Sequence, residues 1–484
     1  MNLKVITRNV GYALLVSALF MFLSVIVSML SGNDSALTAL LISFVITFTV
    51  GIFPFIFVRK TTAISLKDGY LIIALSWVLS FIFGMLPYAL WGGPFTLANA
   101  WFESVSGFTT TGATILEDIE VLPNSLLFWR TSTHFIGGLG VVVFLLLIIP
   151  TASPIRMRLT NMELSSLSKG GYSVRANKTI YVFAYVYIGI AVAAFFAYWA
   201  AGMPAFDAIC HAFSVCATGG FSPRNLSIGA YDSRLIEFLT MVFMVLASVH
   251  FGLLYLACVN RTLKPLNNPV LKFYIGALAV FSVMTGLSLK FQGAYDSLGD
   301  AMWNGTFHTI SIASTTGFGI TDNAGWPLLP NLLVLLIGVM CGCAGSTTGG
   351  VKADRMIVLL KAIGCRIRKN LHPSSVYEVR LAGRALKDDE VYPHVLYIGV
   401  YIIILAVSIV LSLMLGVSED SAFTNSLSSL SNLGPAIREF GTYGNFNSLP
   451  VAAKYLYTID MFLGRVEIYP LLAVAAMLFE RRRG

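Results

Sequence analysis

Leu97-Ala98-Asn99-Ala100-Trp101-Phe102-Glu103-Ser104-Val105-Ser106-Gly107-Phe108-Thr109-Thr110-Thr111-Gly112-Ala113 is the stretch that decides the fold. It is too apolar for an exposed loop and too short to cross a bilayer, whose hydrocarbon core takes about 20 helical residues. Residues 97–111 therefore read as a re-entrant half-helix that turns at Gly112 inside the membrane. A half-helix descending from the outer face aims its C-terminal carbonyls, with their partial negative charge, at the membrane centre, which favours a dehydrated cation there. The glycine lacks the Cβ that would obstruct a turn presenting successive carbonyl oxygens inward.

The same pattern recurs at 205–218, 298–316 and 420–433. These segments end in Ala217-Thr218-Gly219-Gly220-Phe221, Thr315-Thr316-Gly317-Phe318-Gly319 and Asn432-Leu433-Gly434-Pro435. Gly112, Gly219, Gly317 and Gly434 are taken as equivalent, with Thr109, Cys216, Ser314 and Ser431 three residues before them. One Gly/Thr cluster alone would be small-residue packing, common in membrane proteins. Four at matching positions predict four loops around one axis, whose backbone oxygens would replace the hydration shell of an alkali cation. The candidate ion-binding residues are Thr110, Thr111 and Gly112; Ala217, Thr218, Gly219 and Gly220; Thr315, Thr316, Gly317 and Phe318; and Asn432, Leu433 and Gly434. Leu433 departs from Thr111, Thr218 and Thr316, and the residue after the glycine varies among Ala113, Gly220, Phe318 and Pro435.

Working outward, the 484 residues are 56% hydrophobic and only 12% charged, which marks a membrane protein and excludes disordered, collagen-like and disulfide-stapled classes. Apolar runs predict ten spans: 10–31, 35–58, 69–91, 125–149, 179–201, 234–259, 272–290, 328–343 continued by 352–363, 392–415 and 451–478. The expected fold is an all-α polytopic membrane protein: four helix, half-helix, helix units around one pore, plus an N-terminal two-helix hairpin. The boundaries are 1–66 for the hairpin, then 67–155, 156–265, 266–388 (carrying the intramembrane loop described below) and 389–484.

All but seven of the 32 Lys and Arg fall on one side; the seven are Arg130, Arg224, Arg234, Lys290, Arg438, Lys454 and Arg465. That basic side is cytoplasmic by the positive-inside rule, with both termini there, and six of the seven tryptophans then lie toward the outer face. The net charge of +8 needs no nucleic-acid partner, because anionic inner-leaflet lipids suffice. The six cysteines imply no disulfide framework, and Cys341-x-Cys343 reads as small-residue packing, with no nearby His or carboxylate to complete a metal site.

Cys341-Gly342-Cys343-Ala344-Gly345-Ser346-Thr347-Thr348-Gly349-Gly350 should break the helix it interrupts, since four glycines and three hydroxyl residues make a poor helix. Irregular backbone at that depth lines a cavity or lies buried in protein. Residues Gly342, Ala344, Gly345, Ser346, Thr347, Thr348, Gly349 and Gly350 are therefore read as a flexible gate beneath the four loops. Arg465, in the middle of the last span, is a positive barrier or an anchor for the gate's carbonyls, or else pairs with Asp460 or Glu467. Lys352 joins Arg465 as a barrier candidate, with snorkelling at the inner end as its blander role. Glu103, Asp207, Asp300, Glu419 and Asp420 cluster at the outer starts of the half-helices, to cap them or to concentrate cations. His134, His211, His250 and His308 are expected to satisfy internal hydrogen bonds.

Taken together, these features resemble the Trk/Ktr/HKT superfamily of potassium transporters, and within it the bacterial TrkH-type subunit. The resemblance covers essentially the whole chain: front hairpin, four units, Thr-Gly loops, glycine-rich interruption and the arginine in the final span. It implies potassium uptake across the bacterial inner membrane, with K+ in the filter and no other cofactor on the chain. It further implies a homodimer with one pore per subunit, and a cytosolic nucleotide-binding regulatory ring. Arg156 to Lys178 and Arg366 to Lys387 are candidate docking stretches for that ring. A glycine in the first filter goes with potassium in this family and a serine with sodium, so Gly112 favours potassium. A proton- or sodium-coupled secondary cation transporter is the alternative, disfavoured because the units share one in-out direction and no carboxylate sits in the loops. An enzyme is not expected: no H-E-x-x-H, no facing Ser/His/Asp or Cys/His set and no nucleotide-binding glycine motif occurs.

Overall fold

The computed structural model describes residues 2–59, 65–148, 176–381 and 384–480. Among these the chain is mostly helical, the strands being one two-residue antiparallel pair, Arg380–Leu381 with Arg384–Ala385. Lys60, the basic stretch from Arg156 to Arg175, and Arg481 to Arg483 lie outside the described residues.

Helices α1 (Leu3–Leu30) and α2 (Leu37–Phe57) form the expected front hairpin. They approach closely at two glycines, where a Cβ on Gly11 would stand 2.7 Å from the Gly51 carbonyl oxygen. Small residues set this contact because lipid tails give helices no hydrophobic reason to associate. Helix α1 also packs on α3 (Leu66–Gly84) and α6 (Asn124–Ile148), joining the hairpin to the rest. The start of α3 is fixed by a capping box, in which Ser65 Oγ accepts from the Asp68 N–H and the Asp68 carboxylate accepts from the Ser65 N–H. The short helix α4 (Leu86–Trp91) continues it.

Among the described residues, six stretches are long and apolar enough to cross a membrane: Leu3–Leu30, Leu37–Phe57, Lys67–Trp91, Tyr181–Ala200, Pro269–Phe291 and Asp388–Met414. They include α7 (Ala176–Ala200), α11 (Pro269–Phe291) and α15 (Asp388–Met414). The expected span over 234–259 is not straight. It bends by 103° between α9 (Arg234–Ser248) and α10 (Phe251–Val259), and the side chain of His250 caps α10 by accepting from the Gly252 N–H at 3.0 Å.

Two further expected spans are interrupted. The glycine-rich stretch does break its helix, into α13 (Leu328–Met340) and α14 (Ala353–Leu371). The last span divides into α17 (Val451–Arg465) and α18 (Tyr469–Glu480), because Glu467 and Ile468 both take left-handed φ values, 61° and 58°. For such side chains that conformation is costly and persists only where the surroundings enforce it.

The four expected half-helices are present as α5 (Leu97–Phe108), α8 (Ala205–Ala217), α12 (Leu298–Ala313) and α16 (Glu419–Ser431). They end one to three residues earlier than the sequence suggested, leaving extended backbone after each. Their lengths, 12 to 16 residues, are too short to span.

Candidate ion pathway

Each half-helix ends in the same series of conformations. A left-handed residue comes first: Thr110 (φ 52°), Thr218 (φ 54°), Thr315 (φ 55°) and Asn432 (φ 56°). Two residues later stands a left-handed glycine: Gly112 (φ 81°), Gly220 (φ 90°), Gly317 (φ 77°) and Gly434 (φ 86°). Between them, the N–H groups of Thr111, Gly219, Thr316 and Leu433 all return to the carbonyls of Ser106, Ser214, Ser311 and Ser428 at 2.9 Å. This closes the helix ends in the manner of a left-handed C-terminal cap.

The register expected in the second loop is thereby corrected. Gly220, not Gly219, matches Gly112, Gly317 and Gly434, and Ala217 rather than Cys216 precedes it by three. Leu433 then corresponds to Thr111, Gly219 and Thr316, and the residues following the glycines are Ala113, Phe221, Phe318 and Pro435. Two adjacent glycines left the choice open. The signal that decides it is a serine six residues ahead, Ser106, Ser214, Ser311 and Ser428, whose carbonyls receive the turn.

The four glycines close a ring. A Cβ on Gly112 would stand 2.0 Å from the Gly219 oxygen, on Gly220 2.1 Å from the Thr316 oxygen, on Gly317 2.6 Å from the Leu433 oxygen, and on Gly434 2.5 Å from the Thr111 oxygen. Each loop is thus pressed against a carbonyl of the next, and the fourth against the first. The same four glycines border a cavity of about 260 Å³, which Glu117, Arg224 and Tyr443 also line.

Four arginines among the seven basic residues that fall apart from the cytoplasmic side hold half-helix carboxylates. Arg130 bonds Glu103 at 2.6 Å, Arg224 bonds Asp207 at 2.9 Å, Arg234 bonds Asp300 at 2.9 Å, and Arg438 pairs with Asp420. Concentrating cations is therefore not the work of these carboxylates, whose charge is already compensated. The first pair is fully buried, and Glu103 also accepts from Thr114 Oγ1 and the Ile115 N–H just after Gly112. Arg130 donates onward to the Ser222 carbonyl at 3.0 Å and lies over the Phe221 ring, so one ion pair buttresses the first and second loops. In the outer loop, burial and the Asp207 carboxylate it bonds push the Tyr231 phenol above its ordinary value.

Beneath the ring lies the 341–350 loop, buried except at Ser346. The Thr347 hydroxyl faces the carbonyls of Cys216 (3.1 Å) and Ala247 (3.3 Å), and the Gly349 N–H donates to Thr315 Oγ1 at 3.2 Å. The loop also fills the break between α9 and α10: Cys343 N–H donates to the Ser248 carbonyl at 2.9 Å and Phe251 N–H to the Gly345 carbonyl at 3.0 Å. Two interrupted helices thus satisfy each other's backbone, as membrane interiors require. The Ala344 N–H is taken by the Asp354 carboxylate.

Arg465 reaches into this loop, donating to the Thr347 carbonyl at 2.5 Å and to the Gly137 carbonyl at 3.0 Å. Of the roles open to it from sequence, the anchor matches this geometry. Glu467 is engaged elsewhere, by Arg355 at 2.6 Å and Lys352 at 3.5 Å, while Asp460 accepts from Ser408. Lys352 is correspondingly not a snorkelling residue: it is buried and paired. The histidines sit in internal hydrogen bonds, His211 to the Asp207 carbonyl and His308 to the carbonyls of Asn304 and Thr321. His134 is stacked on Phe221 and bonded to Ser214.

A family model described as TrkH, cation transport protein, matches residues 37–483. The chain belongs to the TrkH family. It is 32% identical over 485 residues to the Trk system potassium uptake protein TrkH of Salmonella typhimurium, covering 99% of this chain and all of that one. To the Trk system potassium uptake protein TrkG of Escherichia coli K12 it is 30% identical, covering 99% of each. The crystal structure of the potassium transporter TrkH from Vibrio parahaemolyticus superposes with a TM-score of 0.88 at 31% identity, over 98% of both chains.

Several contacts between residues that the sequence had singled out carried no signal of their own. The Arg130 and Glu103 pair joins residues 27 apart in sequence, and the bend that His250 caps lies at Ser248 to His250, where the residues themselves are neither proline nor glycine. The amide of Asn432 links loop four to loop one, which no spacing within either loop foretells.

Proposed function

We propose that this chain takes up potassium across the bacterial inner membrane through a pore whose filter is the ring of four loops and whose gate is the segment 342–350. The observation that carries the reading is the ring itself, in which Gly112, Gly220, Gly317 and Gly434 each abut a carbonyl of the next loop. Four half-helix C-termini behind such a ring supply the partial negative charge that a dehydrated cation needs. The relatives' names, potassium uptake proteins, agree with the ion. Each quarter comes from one unit, 67–155, 156–265, 266–388 and 389–484, with the hairpin 1–66 outside the ring.

The loop under the ring, tied by Thr347, Gly349 and Arg465, blocks the way inward in this arrangement. The exposed basic residues Arg366, Arg368, Lys369, Arg380, Arg384 and Lys387, in the stretch from Arg366 to Lys387 on the cytoplasmic side, form the docking surface for a nucleotide-binding regulatory ring, and a second copy of the chain completes a dimer with one pore each. Both termini are cytoplasmic by the charge bias.

Selection follows from ring geometry. A hydroxymethyl group at Gly112 would stand 2.0 Å from the Gly219 oxygen on a backbone at φ 81°, so serine there must displace a ring carbonyl. The test is cation uptake into proteoliposomes by the purified chain, potassium against sodium, for the native protein and Gly112→Ser. Potassium-preferring flux that relaxes toward sodium in the variant supports the filter. Preference indifferent to Gly112 in a folded protein overturns it, and a silent native chain is measured again with its regulatory subunits.

A further inference from the structure

We infer that Asn432 is a specificity-determining positioning residue that couples the gate to the filter: its side chain is a brace from the last span to the first loop, and it rests directly against the gate loop. The inference rests on the pore reading above. Asn432 is fully buried and takes the left-handed position that Thr110, Thr218 and Thr315 hold in the other loops. Its amide orientation follows from chemistry. One terminal atom lies 2.9 Å from the Met461 carbonyl, which can only accept, so that atom is Nδ2.

The second hydrogen of the same Nδ2 goes to Thr111 Oγ1 at 2.9 Å. The Thr111 hydroxyl is 2.8 Å from Thr109 Oγ1, which is 2.7 Å from the Val105 carbonyl. Protons can be assigned in one direction along the whole chain, from Asn432 through Thr111 and Thr109 to the end of half-helix α5. The corresponding seams lack this link. Thr218 turns its hydroxyl back on the Ala217 carbonyl at 2.7 Å, and Gly219 and Leu433, which correspond to Thr111, carry no polar side chain.

The other end of the amide faces the gate. Asn432 Oδ1 has no hydrogen-bond partner among the described residues and lies between two glycines: a Cβ on Gly349 would stand 2.7 Å from it and one on Gly464 2.8 Å. Gly349 is in the gate loop, and Gly464 precedes Arg465, which holds that loop. Movement of either the loop or α17 therefore reaches Asn432, and through Nδ2 reaches Thr111, whose own carbonyl abuts Gly434 in the ring. Both glycines are small because this oxygen occupies the space.

The experiment compares potassium-to-sodium flux ratios of the full chain and its regulatory subunits in proteoliposomes for Asn432→Leu, Thr111→Val and the double variant, alongside thermal unfolding and Gly112→Ser. Each single variant is expected to lower the ratio about tenfold, and the double variant no further than either alone, because both cut one chain. A brace that serves stability only would lower the unfolding midpoint and leave the ratio in place. A ratio within about twofold of native in Asn432→Leu, or a double variant near the product of the singles, overturns the inference while a sensitive Gly112→Ser leaves the filter standing. A Gly112→Ser variant without effect undoes both. Should Asn432→Leu fail to fold, Thr111→Val alone decides by the same tenfold criterion.

Discussion

The ring loops and the 341–350 segment have nearly the same composition, glycine, threonine and serine, yet they are held in opposite ways. Each ring loop folds back on its own half-helix, with Thr111, Gly219, Thr316 and Leu433 bonded to serine carbonyls five residues earlier. Behind the first two loops stands a buried ion pair. The lower segment's own bonds gather at Ser346, which joins Cys343 and Thr348, and the rest of it is held by other elements: Ser248 and Ala247 at the end of α9, Cys216 at the end of α8, Thr315, and Arg465 of α17. Local bonds make a loop rigid wherever its neighbours go. Bonds to separate elements let it be released when one of those elements shifts, which is how packed two-state devices operate.

The sharpest way to break this comparison is at the two adjacent glycines of the second loop. Gly220 faces the Thr316 backbone oxygen at φ 90°, so no side-chain movement relieves a Cβ there. Gly219 instead meets the imidazole of His134, 2.2 Å from Nδ1. Gly220→Ala is expected to cut potassium uptake by about 100-fold, the equivalent of roughly 2.7 kcal/mol, with no second-site rescue. Gly219→Ala is expected to cost less and to recover when combined with His134→Ser, which makes room. Uptake assays of the four variants check this. Rescue of Gly220→Ala, or equal and unrescued loss at Gly219, would restore the register that spacing alone suggested.

That register shows what the sequence could and could not tell. The half-helices were legible because an apolar segment too short to span has few other structures available. The interrupted helix was legible because Gly342 to Gly350 cannot sustain one. Arg465 stood out because a guanidinium at that depth needs partners. The choice between Gly219 and Gly220 was not legible from glycine alone, since each removes a Cβ and only the returning bond to Ser214 distinguishes them. The bends at 248–250 and 466–468 were hidden for a different reason: they contain neither glycine nor proline, and tertiary partners stabilise them. The outer carboxylates were read as caps or cation attractors and not as ion-pair partners, because their arginines lie 17 to 66 residues away in sequence.

If the lower segment is released through its anchors, then removing the strongest should open it while every bond within the ring loops stays in place. Arg465→Gln deletes two charge-assisted bonds to backbone carbonyls, of a class worth about 1.5–3 kcal/mol each. Basal potassium flux without regulatory subunits is expected to rise about thirtyfold. Flux measured in proteoliposomes at fixed protein density checks it. An unchanged flux would mean that the segment is as fixed as the ring above it, and the contrast between the two regions would fail.

A finer version of the same contrast uses Thr347, which carries one proton to share between the carbonyls of Cys216 and Ala247. Both acceptors close helices, α8 under the second ring loop and α9 at the 103° bend, so this hydroxyl fastens the segment to two elements at once. Thr347→Val keeps the side-chain shape and removes the donor. The loss is that of one neutral hydrogen bond, about 1 kcal/mol, so basal flux should rise about fivefold, less than for Arg465→Gln. Combined with Arg465→Gln it should add little. Arg465 holds the carbonyl of the same residue, and once that anchor is gone the open arrangement already predominates, where the Thr347 hydroxyl has no closed-state partner to lose. A combined rise near the product of the two would instead mean that the anchors release independently, and that the segment leaves the ring piecemeal rather than as one unit.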